Sequence, residues 1–112
     1  MTKGKVAAQC CHAALAAYQA ALRQRQSDLL QMWESQGQPK ITLRVRDEAE
    51  MLQIRDAART HSLITASVKD AGHTQVVPGT RTVLAIGPGM HCASRVGPTP
   101  VIDYLCGHLK LY

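Results

Sequence analysis

Residues 69–89, KDAGHTQVVPGTRTVLAIGPG, determine how the rest of this 112-residue chain is interpreted. An apolar run at residues 64–68 leads into this stretch, and a second apolar run at residues 82–86 ends in Gly-Pro-Gly. Between the runs, six residues contain a carboxylate, an imidazole, a hydroxyl and an amide: Asp70, His73, Thr74 and Gln75. Flanking strands would hold such a polar loop at a fixed geometry, which suits chemistry. The alternative is an Asx-type turn, in which Asp70 and Thr74 only bond loop amides.

Length and composition predict a single folded domain spanning residues 1–112. Hydrophobic residues make up 46% of the chain and charged residues 19%, which argues against a disordered protein. No apolar run approaches the roughly 20 residues of a membrane span. The first residues lack the apolar region of a secretory signal, although an organelle-targeting interpretation stays open. Thirteen Lys and Arg against eight Asp and Glu give a formal charge of +5, which favours polyanionic partners such as tRNA.

The four cysteines are interpreted as reduced thiols, because they form no C-x-x-C pair and no secretory signal precedes them. A Cys–His nucleophile built on Cys11 or Cys92 has no local sequence support. A zinc site would have to combine residues whose spacings fit no zinc knuckle, because adjacent helical residues point about 100° apart. These residues are Cys10, Cys11, His12, His91, Cys92, Cys106 and His108. We therefore expect no metal and no other cofactor.

Periodicity predicts three helices ahead of residue 64. Small and apolar residues recur at three- and four-residue spacing over residues 5–24, which is typical of an amphipathic helix. Ser27 is expected to cap a short second helix that stops near Gly37. Asp47 and Glu50 resemble a capping box and open a third helix that reaches about Thr60.

Alternating apolar residues predict three strands. They lie at residues 41–45, 64–68 and 82–86. The first two flank a helix within about thirty residues, so a βαβ unit with parallel strands is expected. Thr99 and Pro100 mark the start of a last short helix over residues 101–106. The fold class is α/β.

The first predicted helix begins with Lys3, Gly4 and Lys5. Cations at a helix N-terminus oppose the helix dipole, yet together with the exposed amides of the first turn they make a site for an anion. A solvated basic helix end is the alternative. His12 lies one residue from the small-residue stripe of this helix, where a histidine is more often a hydrogen-bonded structural group.

Four segments together resemble the archaeal and eukaryotic type of peptidyl-tRNA hydrolase: KGKVAAQCCHAALAAY, QMWESQGQPK, DAGHTQVVPGTRTVLAIGPG and GHLKLY. They occur in the family's order over almost the whole chain. The resemblance implies a small mixed β-sheet with helices on both faces. It also implies a cofactor-free enzyme that hydrolyses the ester between a peptide and tRNA, which recycles tRNA from stalled or prematurely released chains.

The resemblance also assigns site residues. The family's functional lysine falls on Lys5, and the aspartate and threonine of its D-A-G-x-T motif fall on Asp70 and Thr74. Asp70 would polarise the attacking water, Thr74 would hold the water or the ribose hydroxyl, and Lys5 would stabilise the oxyanion or grip a phosphate. The threonine of the family's T-V-L motif and the polar residues of its first helix complete the site. The substrate-binding set is Lys3, Gln9, His12, His73, Gln75 and Thr82.

Three features depart from the family pattern. His73 stands where eukaryotic members commonly have Arg, which would tune contact with tRNA. Residues 90–97, MHCASRVG, form an insertion that is expected to protrude as a surface loop. Only residues 1–4 precede Lys5, so the family's first hydrophobic strand is missing and three strands remain. A fragment, an isoform, a misassigned start, or a partner chain (a second copy included) that supplies a strand would account for this.

A catalytically silent adaptor that binds tRNA or a protein is the alternative function. An adaptor should tolerate loss of Lys5 and Asp70, whereas a hydrolase should not. The expected location is the cytoplasm, with mitochondrial association as the alternative.

Overall fold

The computed structural model describes residues 2–69, 79–88 and 106–112, in which three helices precede a pair of antiparallel strands. The helices are α1 (Lys3–Arg23), α2 (Ser27–Ser35) and α3 (Glu48–Thr60). The strands are β1 (Thr65–Lys69) and β2 (Arg81–Ile86). Helices packed on a small sheet confirm the predicted α/β class. None of the described helices has both the length and the apolar character needed to cross a membrane.

Helix α1 packs against both strands through small side chains. Thr2 begins it as the N-cap, with its hydroxyl accepting the backbone N–H of Lys5 at 3.2 Å. Side chains at three- and four-residue spacing form the buried face, as the sequence predicted. Because most of them are alanine, the helix axis can approach the strands closely. The buried residues are Val6, Gln9, Ala13, Ala17, Ala20 and Ala21.

Helix α2 closes one apolar cluster, formed by Ala20, Ala21, Leu30 and Ile64. The Tyr18 hydroxyl reaches from α1 to the Glu34 carboxylate of α2 at 3.0 Å, and this hydrogen bond, with the charge of that carboxylate, raises the pKa of Tyr18.

The prediction that Ser27 caps α2 was wrong. The N-cap is Gln26, whose side chain makes no capping hydrogen bond, and Ser27 is already helical. Arg25, with a φ of 57°, lies in the turn between the two helices, and α2 begins one residue earlier in the chain than predicted.

Helix α3 begins at the predicted cap, because the Asp47 carboxylate accepts the Glu50 N–H at 2.9 Å. The return bond of the predicted capping box is shifted by one residue, since Glu50 accepts the N–H of Arg46 at 2.8 Å and not that of Asp47. The buried face of α3 contributes Ile54 and Ala58 to a second apolar cluster, which Cys106 completes. Leu84 and Ile86 of β2 pack against this cluster.

The parallel βαβ unit predicted from residues 41–45 and 64–68 is not present among the described residues. β1 pairs with β2 in antiparallel register, from Thr65 opposite Ile86 to Val68 opposite Val83. Among the described residues, no ladder joins the segment at residues 41–45 to β1.

The predicted strand at residues 41–45 is reduced to a single bridge. Leu43 lies opposite Leu111, with hydrogen bonds from the Arg44 N–H to the Lys110 carbonyl and from the Tyr112 N–H to the Thr42 carbonyl, both 2.9 Å. Leu43 and Val45 pack on the second cluster as alternation predicted, but Ile41 is 76% exposed. Alternation reports which side of a segment is buried, and it does not identify the pairing partner.

Several predictions fall outside the described residues: the 70–75 polar loop, the 90–97 insertion and the start of the last helix. Cys106 is helical and Gly107 follows in a turn, which agrees with the predicted end of that helix.

Ala58 offers a direct test of the packing between α3 and the sheet. Its exposure is 0%, so Ala58→Leu should overpack the second cluster and lower the free energy of unfolding by about 1–3 kcal/mol. Ala49→Leu is the matched control on the exposed side of the same helix and should change stability by less than about 0.5 kcal/mol. Urea unfolding of both variants measures the difference. Equal midpoints would show that Ala58 is not in a close-packed interface.

Candidate active site

The N-terminal turn of α1 contains two cations and no acidic residue. Lys3 is exposed and Lys5 is half-buried. A cation at this end of a helix opposes the dipole by about 0.3–1 kcal/mol, so the placement is locally unfavourable. The predicted anion site is smaller than the sequence suggested, because the Thr2 hydroxyl already accepts the amide of Lys5. Lys5 is therefore the central cationic candidate at this position.

A partly buried hydrogen bond joins the next turn of α1 to the start of β2. The Gln9 side-chain amide donates to the Thr82 hydroxyl at 2.7 Å, and that hydroxyl lies 3.4 Å from the Val68 carbonyl, toward which it donates. Gln9 is only 7% exposed and is the one buried polar residue recorded in the described part of the chain. The bond links residues 73 positions apart and fixes the helix that carries Lys5 against both strands.

A β-bulge explains why Thr82 faces α1. Val68 lies opposite Val83, whereas the next residue, Lys69, lies opposite Arg81, which leaves Thr82 as the extra residue. Regular alternation would place Thr82 on the side of Leu84, which packs on the α3 cluster. The bulge re-aims its hydroxyl toward Gln9, a role that bulges often have near functional sites.

Glu48 holds the other side of this bulge, and the sequence analysis missed it. Its carboxylate, in the first turn of α3, accepts the backbone N–H of Arg81 at 2.6 Å. The bulge is therefore bonded to α1 through Thr82 and to α3 through Arg81. An acidic residue in a first helical turn is common for electrostatic reasons, so no pattern in the sequence marks this contact.

The structure brings some of the predicted site residues together. Lys5, Gln9 and His12 are spaced four and three residues apart and so share one side of α1, with Gln9 buried and His12 exposed. Thr82 joins this group through Gln9. Lys3 lies at the exposed edge. Four other predicted residues lie outside the described part of the chain: Asp70, His73, Thr74 and Gln75.

This arrangement suits the binding of an anion or of developing negative charge. Lys5 supplies the charge, and the Gln9–Thr82 bond restrains the helix that carries it. Lys69, the last residue of β1, pairs with Arg81, next to Thr82, and Asp70 is the following residue in the chain. Asp70, which is predicted to polarise the attacking water, therefore directly follows a paired residue of the sheet in the sequence.

The described residues include no group of three or more His, Cys, Asp or Glu side chains positioned to hold a metal ion. Cys10, Cys11 and Cys106 are free thiols, of which Cys11 is exposed. Burial raises the pKa of the Cys106 thiol, which makes it a poor nucleophile.

Comparison with known proteins gives matches over the full chain. A family model described as peptidyl-tRNA hydrolase PTH2 matches residues 1–112. The chain is 46% identical over 112 residues to the Bos taurus protein named peptidyl-tRNA hydrolase 2, mitochondrial, and 47% identical to its Mus musculus counterpart. The match covers all of this chain but only 58% and 57% of those relatives. A peptidyl-tRNA hydrolase of Sulfolobus acidocaldarius is 40% identical over 115 residues, with 99% of this chain and 89% of the archaeal protein covered.

The Gln9–Thr82 hydrogen bond can be tested by a double-mutant cycle. Thr82→Val keeps the shape but leaves the buried Gln9 amide without its acceptor, so it should lower the free energy of unfolding by about 1–3 kcal/mol. The double variant, Gln9→Leu with Thr82→Val, should lower the free energy of unfolding by less than the sum of the two single changes, since both partners are then apolar.

Thr42→Val is the control, because Thr42 is exposed and its change should be nearly neutral. Denaturant unfolding of the four members of the cycle and the control gives the coupling free energy. Strict additivity would contradict the bond.

Proposed function

We propose that this chain, which belongs to the peptidyl-tRNA hydrolase PTH2 family, hydrolyses the ester bond between a peptide, or an N-blocked amino acid, and tRNA. The observation that supports this most directly is the Gln9–Thr82 bond, which unites two of the site residues that the resemblance assigned and holds the helix bearing a third, Lys5. The chain spans about half the length of several relatives that it matches, so the activity is proposed for the domain.

In the proposed reaction, the oxygen of water bonds to the ester carbonyl carbon, the bond from that carbon to the 3′-terminal ribose oxygen of tRNA breaks, and the ribose oxygen leaves as a hydroxyl with the proton that the water gives up. Asp70 orients the water by accepting a hydrogen bond from it, and Thr74 holds the water or the neighbouring ribose hydroxyl. Lys5 stabilises the oxyanion that develops on the carbonyl oxygen. A fixed cation is effective here because it needs no reorganisation as the charge forms.

The remaining predicted residues are proposed to bind the tRNA end. Lys3 and His12 are exposed on α1 on either side of Lys5 along the helix, where they would meet phosphate and base groups. His73 and Gln75 are assigned to the same task. Gln9 and Thr82 instead maintain the geometry of the site, because their side chains hydrogen-bond to each other.

Peptidyl-tRNA is the proposed substrate and partner, and we propose mitochondrial association from the names of the mammalian relatives. A cytoplasmic location and a partner chain that supplies a strand stay predictions. No described feature favours the silent adaptor over the hydrolase.

Lys5→Ala tests the catalytic role. Loss of one oxyanion donor typically lowers kcat by about 10²–10³-fold, so the variant should lose that much of its turnover of N-blocked aminoacyl-tRNA. Lys3→Ala removes a neighbouring, exposed cation of the same turn and should change kcat by less than about threefold, with its effect confined to KM. Initial rates of release of the labelled aminoacyl group measure both.

An unchanged thermal midpoint shows that each variant is folded. Full turnover by a folded Lys5→Ala variant would contradict the hydrolase mechanism and would return the adaptor to consideration.

A further inference from the structure

We propose that a second cationic surface, remote in sequence from Lys5, binds phosphates of the tRNA body. This basic groove, of about 360 Å³, lies where residues 44–46 run beside the last residues of the chain. It is lined by three permanent cations, one histidine, one carboxylate and two apolar residues: Arg44, Arg46, Lys110, His108, Glu50, Val45 and Leu109. The proposal rests on the proposed function, because it names a binding surface for the same substrate.

The pairing of the two segments places like charges opposite each other. Leu43 lies opposite Leu111 in an antiparallel bridge, so Arg44 lies opposite Lys110, to whose carbonyl its N–H donates at 2.9 Å. Like charges directly opposite on paired strands are destabilising. A bound phosphate would remove this repulsion by receiving hydrogen bonds from both side chains.

The one carboxylate in the groove, Glu50, offsets one of its three Lys and Arg charges, so the lining keeps a surplus of two formal positive charges. One Glu50 oxygen accepts the Arg46 backbone N–H at 2.8 Å, and the other lies 3.7 Å from the His108 ring nitrogen. Asp47 approaches the Arg46 side chain at 3.6 Å, but both groups are more than half exposed and water screens this pair. Glu50 therefore fixes the floor of the groove and the orientation of its donors.

Hydrogen bonds connect the groove to the candidate active site through the first turn of α3 and the start of β2. Glu48, two residues before Glu50, holds the Arg81 amide, and the adjacent Thr82 bonds to Gln9, one turn after Lys5. The first turn of α3 thus connects the two cationic surfaces through the bulge of β2. A nucleic acid long enough to reach both surfaces would be bound at each of them through its phosphates. Such contacts fix its position on the protein independently of its base sequence.

A tRNA fits these features better than an acidic protein does. The groove is open and shallow, has two guanidinium groups on alternate residues, and offers little apolar surface for a protein side chain to bury. Guanidinium groups match the geometry of phosphate oxygens.

Binding of fluorescently labelled uncharged tRNA by the full chain tests the groove without requiring catalysis. Arg44→Gln with Arg46→Gln should raise Kd by about tenfold and reduce the slope of log Kd against log salt by about one for each phosphate that the variant no longer neutralises. Arg23→Gln with Arg25→Gln removes the same charge at the C-terminal end of α1 and in the turn that follows it, and should change Kd by less than about twofold; both arginines are exposed, and Arg23 is about 30 Å along the helix from Lys3. Equal weakening by both pairs would overturn the proposal, and so would tighter binding of poly-glutamate than of tRNA.

Measuring hydrolysis of two substrates distinguishes a failure of the groove proposal from a failure of the proposed hydrolase function. The groove variant should raise KM for N-blocked aminoacyl-tRNA with kcat unchanged. It should leave cleavage of the same ester on a lone 3′-terminal adenosine intact, because that substrate cannot reach the groove. Equal loss on both substrates in a folded variant would overturn the groove as a tRNA-body site. A wild-type chain that binds tRNA through the groove but cleaves neither ester would refute the hydrolase while supporting the groove.

Discussion

The hydrogen bond between Gln9 and Thr82 is the contact on which the rest of the structure depends. Gln9 is buried and Thr82 is half-buried, so losing the threonine hydroxyl leaves the buried Gln9 amide without its acceptor. It also fixes the first turns of α1 relative to the bulged start of β2, where Glu48 of α3 holds the neighbouring amide of Arg81. Two helices and a strand are thereby locked together at the end of the sheet that leads to Asp70.

The two basic regions identified among the described residues both contain a charge that local rules disfavour. Lys5 lies at the positive end of a helix dipole, and Arg44 lies opposite Lys110 on paired segments. Departures from local rules are expected at functional sites.

The sequence predicts the helices well and the sheet poorly, for physical reasons. The range of α3 and its N-cap follow from local signals, since Asp47 and Glu50 interact across a single turn. Pairing is non-local: nothing in the alternation at residues 41–45 indicates that Leu43 would meet Leu111. The family resemblance located Gln9 and Thr82, but neither their mutual bond nor the bulge that permits it can be read from residue types alone.

Single-turnover hydrolysis of N-blocked aminoacyl-tRNA by Thr82→Ser and Thr82→Val, at saturating enzyme, tests the central claim that this bond positions the catalytic end of α1. Serine keeps the hydroxyl that accepts from Gln9, so the rate should stay within about threefold of wild type, whereas valine removes the acceptor and should lower the rate by about tenfold or more. Equal rates for the two variants, whether both high or both low, would contradict the account.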